Sequence, residues 1–285
     1  MRNIRRFLRT TTLDVYNHFS SDDGWAFASH IALSSLMALF PFLIFATTLA
    51  SFVDTKEFAN TTVHVIFDMW PKNIAAPIAH EVMNVLTVQR TDLLTLSVIA
   101  AAYFASNGVE ALRIALNRAY RVNDRRSILF CRLQSLGFVL LGTLSLMAIS
   151  FLLVLAPLAV KLIIKSVPEL KGYIGTIAAW RYTITVLVLV SSLFIVHIWL
   201  PAGRRSLGDI LPGIVLTLVA WLAAAYAFAA YLATFANYVS TYAGLASIMV
   251  AIVFLYMLSA IFIIGAEFNA AIMNFRNREQ QPEQA

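Results

Sequence analysis

Glu110, Arg113 and Asn117 follow one another at spacings of three and four residues. On an α-helix that spacing places them on one face. Asn107 lies one turn before them, and Glu267 stands beside Asn269 in the late run IIGAEFNAAI. His30 falls near the start of the first long apolar stretch. An ionisable group in apolar surroundings is costly, so each needs a partner or a task. His30, Asn107, Glu110, Arg113, Asn117 and Glu267 together suit a polar path for an ion or a headgroup. A charge network that pins helix ends would use the same residues, and both readings stay open. Arg113 is expected to meet Glu267 or its own-helix neighbour Glu110. Arg118, Arg121, Arg125 and Arg126 follow at once and could rim such a path, attracting an anionic headgroup.

Other chemistries find less support. One cysteine, Cys131, excludes an intramolecular disulfide. No CxxC, HExxH or EF-hand pattern occurs, and His18, His30, His64, His80 and His197 are scattered. No catalytic residue, metal site or cofactor is therefore expected. His197, just before Trp199 and Pro201, reads as a satisfied histidine rather than a proton relay.

The elements that must position these residues are membrane helices. Hydrophobic residues make up 60% of the 285, charged residues only 13%, and the mean hydropathy is +0.78. A soluble domain carries about 25% charged residues. The apolar runs are continuous, not alternating, which favours helices over barrel strands. The fold class expected is all-α and polytopic, with six spans near 25–53, 93–106, 134–163, 182–200, 210–236 and 243–270. The second is short and continues as a polar helix over 107–120. Pro41 predicts a kink or a break in the first span, and Pro157 falls near the far end of the third. Residues 2–20 read as an amphipathic interfacial helix carrying Arg2, Arg5, Arg6 and Arg9. Two short outer helices are expected over 56–69 and 74–88. The alanines of the fifth span, Ala223 to Ala230, read as a helix-packing surface. The chain thus divides into an interfacial segment (1–24), a six-helix membrane domain (25–275) and a polar tail (276–285).

Net charge is +6. The positive-inside rule accounts for it better than nucleic-acid binding does. With the N-terminus inside, fourteen Lys and Arg fall on inner segments and seven on outer ones, which places both termini in the cytoplasm. The lysine-rich stretch after the third span, with Lys161, Lys165 and Lys171, runs against that count. Membrane lipids are the expected partners. The sequence neither demands nor forbids a homo-oligomer.

The segments ASHIALSSLMALFPFLIF (28–45), SNGVEALRIALNRAYRV (106–122) and IIGAEFNAAI (263–272) resemble the YihY/BrkB family of bacterial inner-membrane proteins. LPAGRRSLGDILPG (200–213) and NYVSTYAGLASIM (237–249) fit its second half. The resemblance implies six transmembrane helices, an inner-membrane location and, from some members, a link to envelope lipid traffic. The family once carried the label ribonuclease BN. The dispersed histidines and the lack of acidic clusters give that label no support here.

Overall fold

The computed structural model describes residues 2–50, 94–166, 172–234 and 243–280, and these are helical, joined by turns. The helices are α1 (Arg2–Ser21), α2 (Gly24–Ala50), α3 (Leu94–Ala119), α4 (Ile128–Ser150), α5 (Ala156–Ser166), α6 (Ile174–Trp199), α7 (Leu207–Thr234) and α8 (Ala243–Gln280). The expected short helices over 56–69 and 74–88 lie outside the described residues.

α2 and α3 pack antiparallel through small side chains. Gly108 faces Ser34, where an added Cβ would lie 3.4 Å from the serine Cβ. One turn on, Ala111 and Ala115 share a buried cluster with Ala28 and Ile31. Small residues let two helices approach closely where lipid supplies no hydrophobic drive for association. α3 is one continuous helix across the expected junction between apolar span and polar extension. Pro41 lies inside α2 without ending it.

α8 is the central element and packs against α1, α2, α3 and α7. Its two faces feed two cores. Phe262, Ala266 and Ala270 join Leu116, Leu193 and Ile214 on one side. Ala260 and Ile263 join Phe19 and Ile31 on the other. α7 runs antiparallel to it, and the two backbones meet at Gly213 and Gly265. A Cβ on either glycine would collide with backbone or side-chain atoms of the other helix. This close crossing is not where the alanines suggested. Ala223, Ala225, Ala227, Ala229 and Ala230 are exposed, and the crossing falls nearer the start of α7. α1 lies antiparallel along α8, with Phe7 edge-on to Phe275 at 5.0 Å. α8 itself continues helical to Gln280, past the expected start of the polar tail.

The third span is broken rather than smooth. α4 ends at Ser150, a π-turn covers Phe151–Leu155, and α5 begins with Pro157 in its first turn. Proline donates no hydrogen bond and its ring crowds the carbonyl four residues back. A wider π-turn relieves that crowding.

Four helical segments among the described residues are long and apolar enough to cross a membrane: Ile128–Leu153, Ile174–Trp199, Leu207–Leu232 and Ile248–Asn277. Gly24–Leu39 is a shorter apolar helix. Along α4, Leu140, Leu144, Leu146 and Met147 point outward with about two-thirds of their surface exposed. An apolar face this extensive needs lipid or protein to cover it.

Candidate functional site

The polar residues gather where the end of α3, the start of α4, the α6–α7 turn, α8 and α1 come together. The α3 terminus sets the arrangement. Arg121 N–H donates to the Arg118 carbonyl and Val122 N–H to the Asn117 carbonyl, closing the helix through a left-handed residue. That residue is Arg121, with φ of +58°. Glycine takes this conformation without strain; here a long cationic side chain occupies it instead. Arg121 ion-pairs with Asp14 of α1 and places Nη2 3.9 Å from Oε2 of Glu267.

Asp124 in the α3–α4 turn is the most heavily bonded carboxylate. Oδ1 accepts from Arg126 Nε at 2.8 Å and from the Arg126 backbone N–H at 3.1 Å. Oδ2 accepts from Arg126 Nη2 at 2.7 Å, from Asn117 Nδ2 at 3.0 Å and from Arg113 Nη1. Arg126 holds its carboxyl well below the usual carboxylate range, helped by Arg113 and opposed by partial burial. The same residues reach the α6–α7 turn. Arg126 Nη2 donates to the Leu200 carbonyl at 2.9 Å, and Ala202 N–H donates to Asn117 Oδ1 at 2.7 Å. Gln134 completes the lattice, accepting from Arg126 and donating to the Trp199 carbonyl.

Deeper in the bundle a neutral chain crosses three helices. Gly213 N–H donates to Asn269 Oδ1 at 2.6 Å, so the Asn269 Nδ2 group donates to the Tyr120 hydroxyl at 3.2 Å. The hydroxyl in turn lies 2.7 Å from His197 Nδ1. Burial pushes the Tyr120 phenol up, so it keeps its proton. A hydroxyl that accepts from Asn269 is free to donate to Nδ1. That assigns the His197 proton to Nε2. Nε2 is buried without a hydrogen-bond partner, and the ring stacks on Phe262 at 4.8 Å. His197 is thus a buried histidine satisfied on one nitrogen. The Arg205 guanidinium lies 4.0 Å over the Tyr120 ring.

The sequence-predicted residues divide clearly. Glu110, Arg113 and Asn117 come together as their spacing required. Arg113 reaches Glu110 at 3.5 Å, and Arg132 binds the other Glu110 oxygen at 2.8 Å. Arg113 binds Asp124 besides Glu110, whereas Arg121 takes the place beside Glu267. Asn107 is half-buried and, among the described residues, its side chain makes no hydrogen bond. His30 is exposed on α2 and joins none of these bonds. Of the four rim arginines, Arg121 and Arg126 are paired as above. Arg118 binds Asp23 at 3.1 Å and covers the Phe27 ring. Arg125 is exposed. The sequence reading missed Asp124, Tyr120 and Asp14. The available signal for Asp124 was its position as the one acid between Arg118 and Arg132. Among the described residues, no three His, Cys, Asp or Glu side chains converge as metal ligands.

An all-helical bundle with several spans of membrane-crossing length, its polar groups joined at one end, defines a polytopic membrane protein. The family model described as Virulence factor BrkB matches residues 15–285, and the chain belongs to that family. It is similar to YfkH of Bacillus subtilis (strain 168), a protein with a ribonuclease-like name. The two are 27% identical over 271 residues, covering 95% of this chain and 97% of the relative. No solved structure matches.

Proposed function

We propose that this is a six-span inner-membrane protein with both termini in the cytoplasm, which binds and passes an amphiphile with an anionic headgroup. The observation that carries the reading is Glu267. Its side chain is 1% exposed in the longest apolar helix, and Oε2 accepts no hydrogen bond. A carboxylate so placed is retained against a solvation cost. Arg121 lies beside it but is also held by Asp14 of α1. A headgroup entering from the polar end would meet a cation that already divides itself between two carboxylates.

A scaffold that transports nothing is the second reading. It is favoured by the internal pairing of Arg118, Arg121 and Arg126, which leaves Arg125 as the member of the expected rim with no ion pair among the described residues. The ribonuclease-like name of YfkH is not extended to this chain. RNA cleavage needs acid–base or metal-bound groups facing an aqueous cleft, and His197 stacks on phenylalanine inside the bundle.

Reconstitution into vesicles with a fluorescent anionic lipid tests transport. Glu267→Gln is expected to slow lipid passage at unchanged protein level, whereas Glu279→Gln in the last turn of α8 leaves it intact. Passage no faster than in empty vesicles for the wild type would favour the scaffold. Reporter fusions after Phe275 and within 121–126 should read cytoplasmic, and those near Lys72 and Lys171 external. A cytoplasmic reading at Lys72 would overturn the six-span topology.

A further inference from the structure

Far from the polar end, a groove of about 490 Å³ opens between α6 and the π-turn–α5 segment. That volume lies in the range of small-ligand sites, about 300–1,000 Å³. Leu152, Ala156 and Val160 form one wall, and Ile177 and Ile184 the other. Trp180 and Arg181 line the same groove. About 20 residues of helix cross the hydrocarbon. Counted back from Trp199, beside the polar lattice, that length of α6 reaches Trp180 and Arg181. The pair therefore stands at the opposite headgroup boundary, where an amphipathic indole and a cation are favoured.

Arg181 is half-buried, and its Nε is buried without a hydrogen-bond partner. It lies over the Tyr182 ring at 4.7 Å and, among the described residues, forms no ion pair. A half-buried guanidinium with an unsatisfied donor has lost hydration that an acceptor would replace. The surrounding sequence is unbalanced in the same sense. Between 161 and 181, Lys161, Lys165, Lys171 and Arg181 stand against a single acid, Glu169. These are the cations that run against the positive-inside count.

We propose that this groove binds one acidic glycerophospholipid of the bilayer, an acyl chain lying along the Leu152–Val160 and Ile177–Ile184 walls and the phosphate meeting Arg181. The apolar length selects a lipid over a free anion. The cation, without an ion pair among the described residues, selects an acidic headgroup over a zwitterionic one. The site holds whether the protein transports lipid or serves as a scaffold, because it lies at the other end of the bundle from Glu267.

The test uses the full chain in phosphatidylcholine nanodiscs, titrated with brominated phosphatidylglycerol or brominated phosphatidylcholine. Trp180 quenching is read as the difference between wild type and Trp180→Phe. Phosphatidylglycerol should be preferred roughly fivefold, the equivalent of about 1 kcal/mol for one basic side chain near the surface. Arg181→Gln should abolish the preference and Arg181→Lys should keep it. Ala156→Phe, which fills the groove, should weaken quenching by both lipids. Circular dichroism and a monodisperse elution profile establish that each variant is folded. Equal quenching by the two lipids in the wild type, or an unchanged preference in Arg181→Gln, would overturn the proposal. So would loss of the preference in excess inorganic phosphate. A protein that passes no lipid across vesicles yet keeps the preference supports the groove and removes the transport reading.

Discussion

Asp124 and Glu267 are both carboxylates at the polar end, and they are treated in opposite ways. Asp124 sits in a turn and accepts five hydrogen bonds from three residues. Glu267 sits inside a helix, nearly inaccessible, with one oxygen accepting none and its nearest cation 3.9 Å away. The turn region is therefore held by charge. The region around Glu267 is held by close helix packing, chiefly where Gly213 and Gly265 let α7 and α8 touch. A fully satisfied polar network rigidifies the region that carries it; a sparsely satisfied buried charge carries a desolvation cost.

Substitution separates the two regions. The largest effect is expected from Asp124→Ala, which leaves Arg113 with Glu110 alone and Arg126 with no carboxylate, and so loosens the side chains that hold the α6–α7 turn. Breaking one partner of so well bonded a cluster costs about 3 kcal/mol, measurable as a lower midpoint of thermal unfolding in detergent. Next comes Gly213→Ala, whose methyl would meet the Gly265 carbonyl and force the helices apart, at about 2 kcal/mol. If it proved neutral, the second region would not depend on close approach.

Acid sharpens the contrast further. The Asp124 carboxyl is depressed in the folded protein, so its contribution is complete above the ordinary carboxylate pKa and is lost as pH falls through the folded value. Between pH 5 and pH 3 the wild type should lose about 2 °C of Tm more than Asp124→Asn does. Equal losses would show that Asp124 is not the stabilising charge. The smallest effect on stability is expected from Glu267→Gln, within about 1 kcal/mol, since Oε2 gives up no hydrogen bond. A cost matching that of Asp124→Ala would erase the distinction between the two carboxylates.

What the sequence could convey follows from the range of each interaction. Apolar runs are local, so the helices of α4, α6, α7 and α8 were legible from composition and length. The shared face of Glu110, Arg113 and Asn117 was legible because helical spacing fixes it. The link from Tyr120 to His197 joins residues 77 apart, and the bond from Asn269 to Tyr120 joins residues 149 apart. No periodicity encodes either. Asp124 was overlooked because a basic turn reads first as a topology signal, and its single acid is lost in the count. The alanines of α7 misled for a related reason. Small side chains permit close approach but do not choose which neighbour takes it up, and Gly213 with Gly265 did so instead.

The length of α8 has a mechanical consequence. Its 38 residues make a rod about 57 Å long, against a hydrocarbon layer of about 30 Å. Roughly 25 Å of it can therefore stand clear of the lipid tails. A rod pivoting where Gly265 meets Gly213 works as a lever. A tilt of about 5° would carry Phe275, about 15 Å beyond the pivot, sideways by about 1 Å. That displacement is comparable to the helix shifts by which proteins switch between states. α1 is fastened to the same arm through Phe7 and Phe275. Any rocking of the helix within the bilayer would thus be delivered to the first twenty residues of the chain.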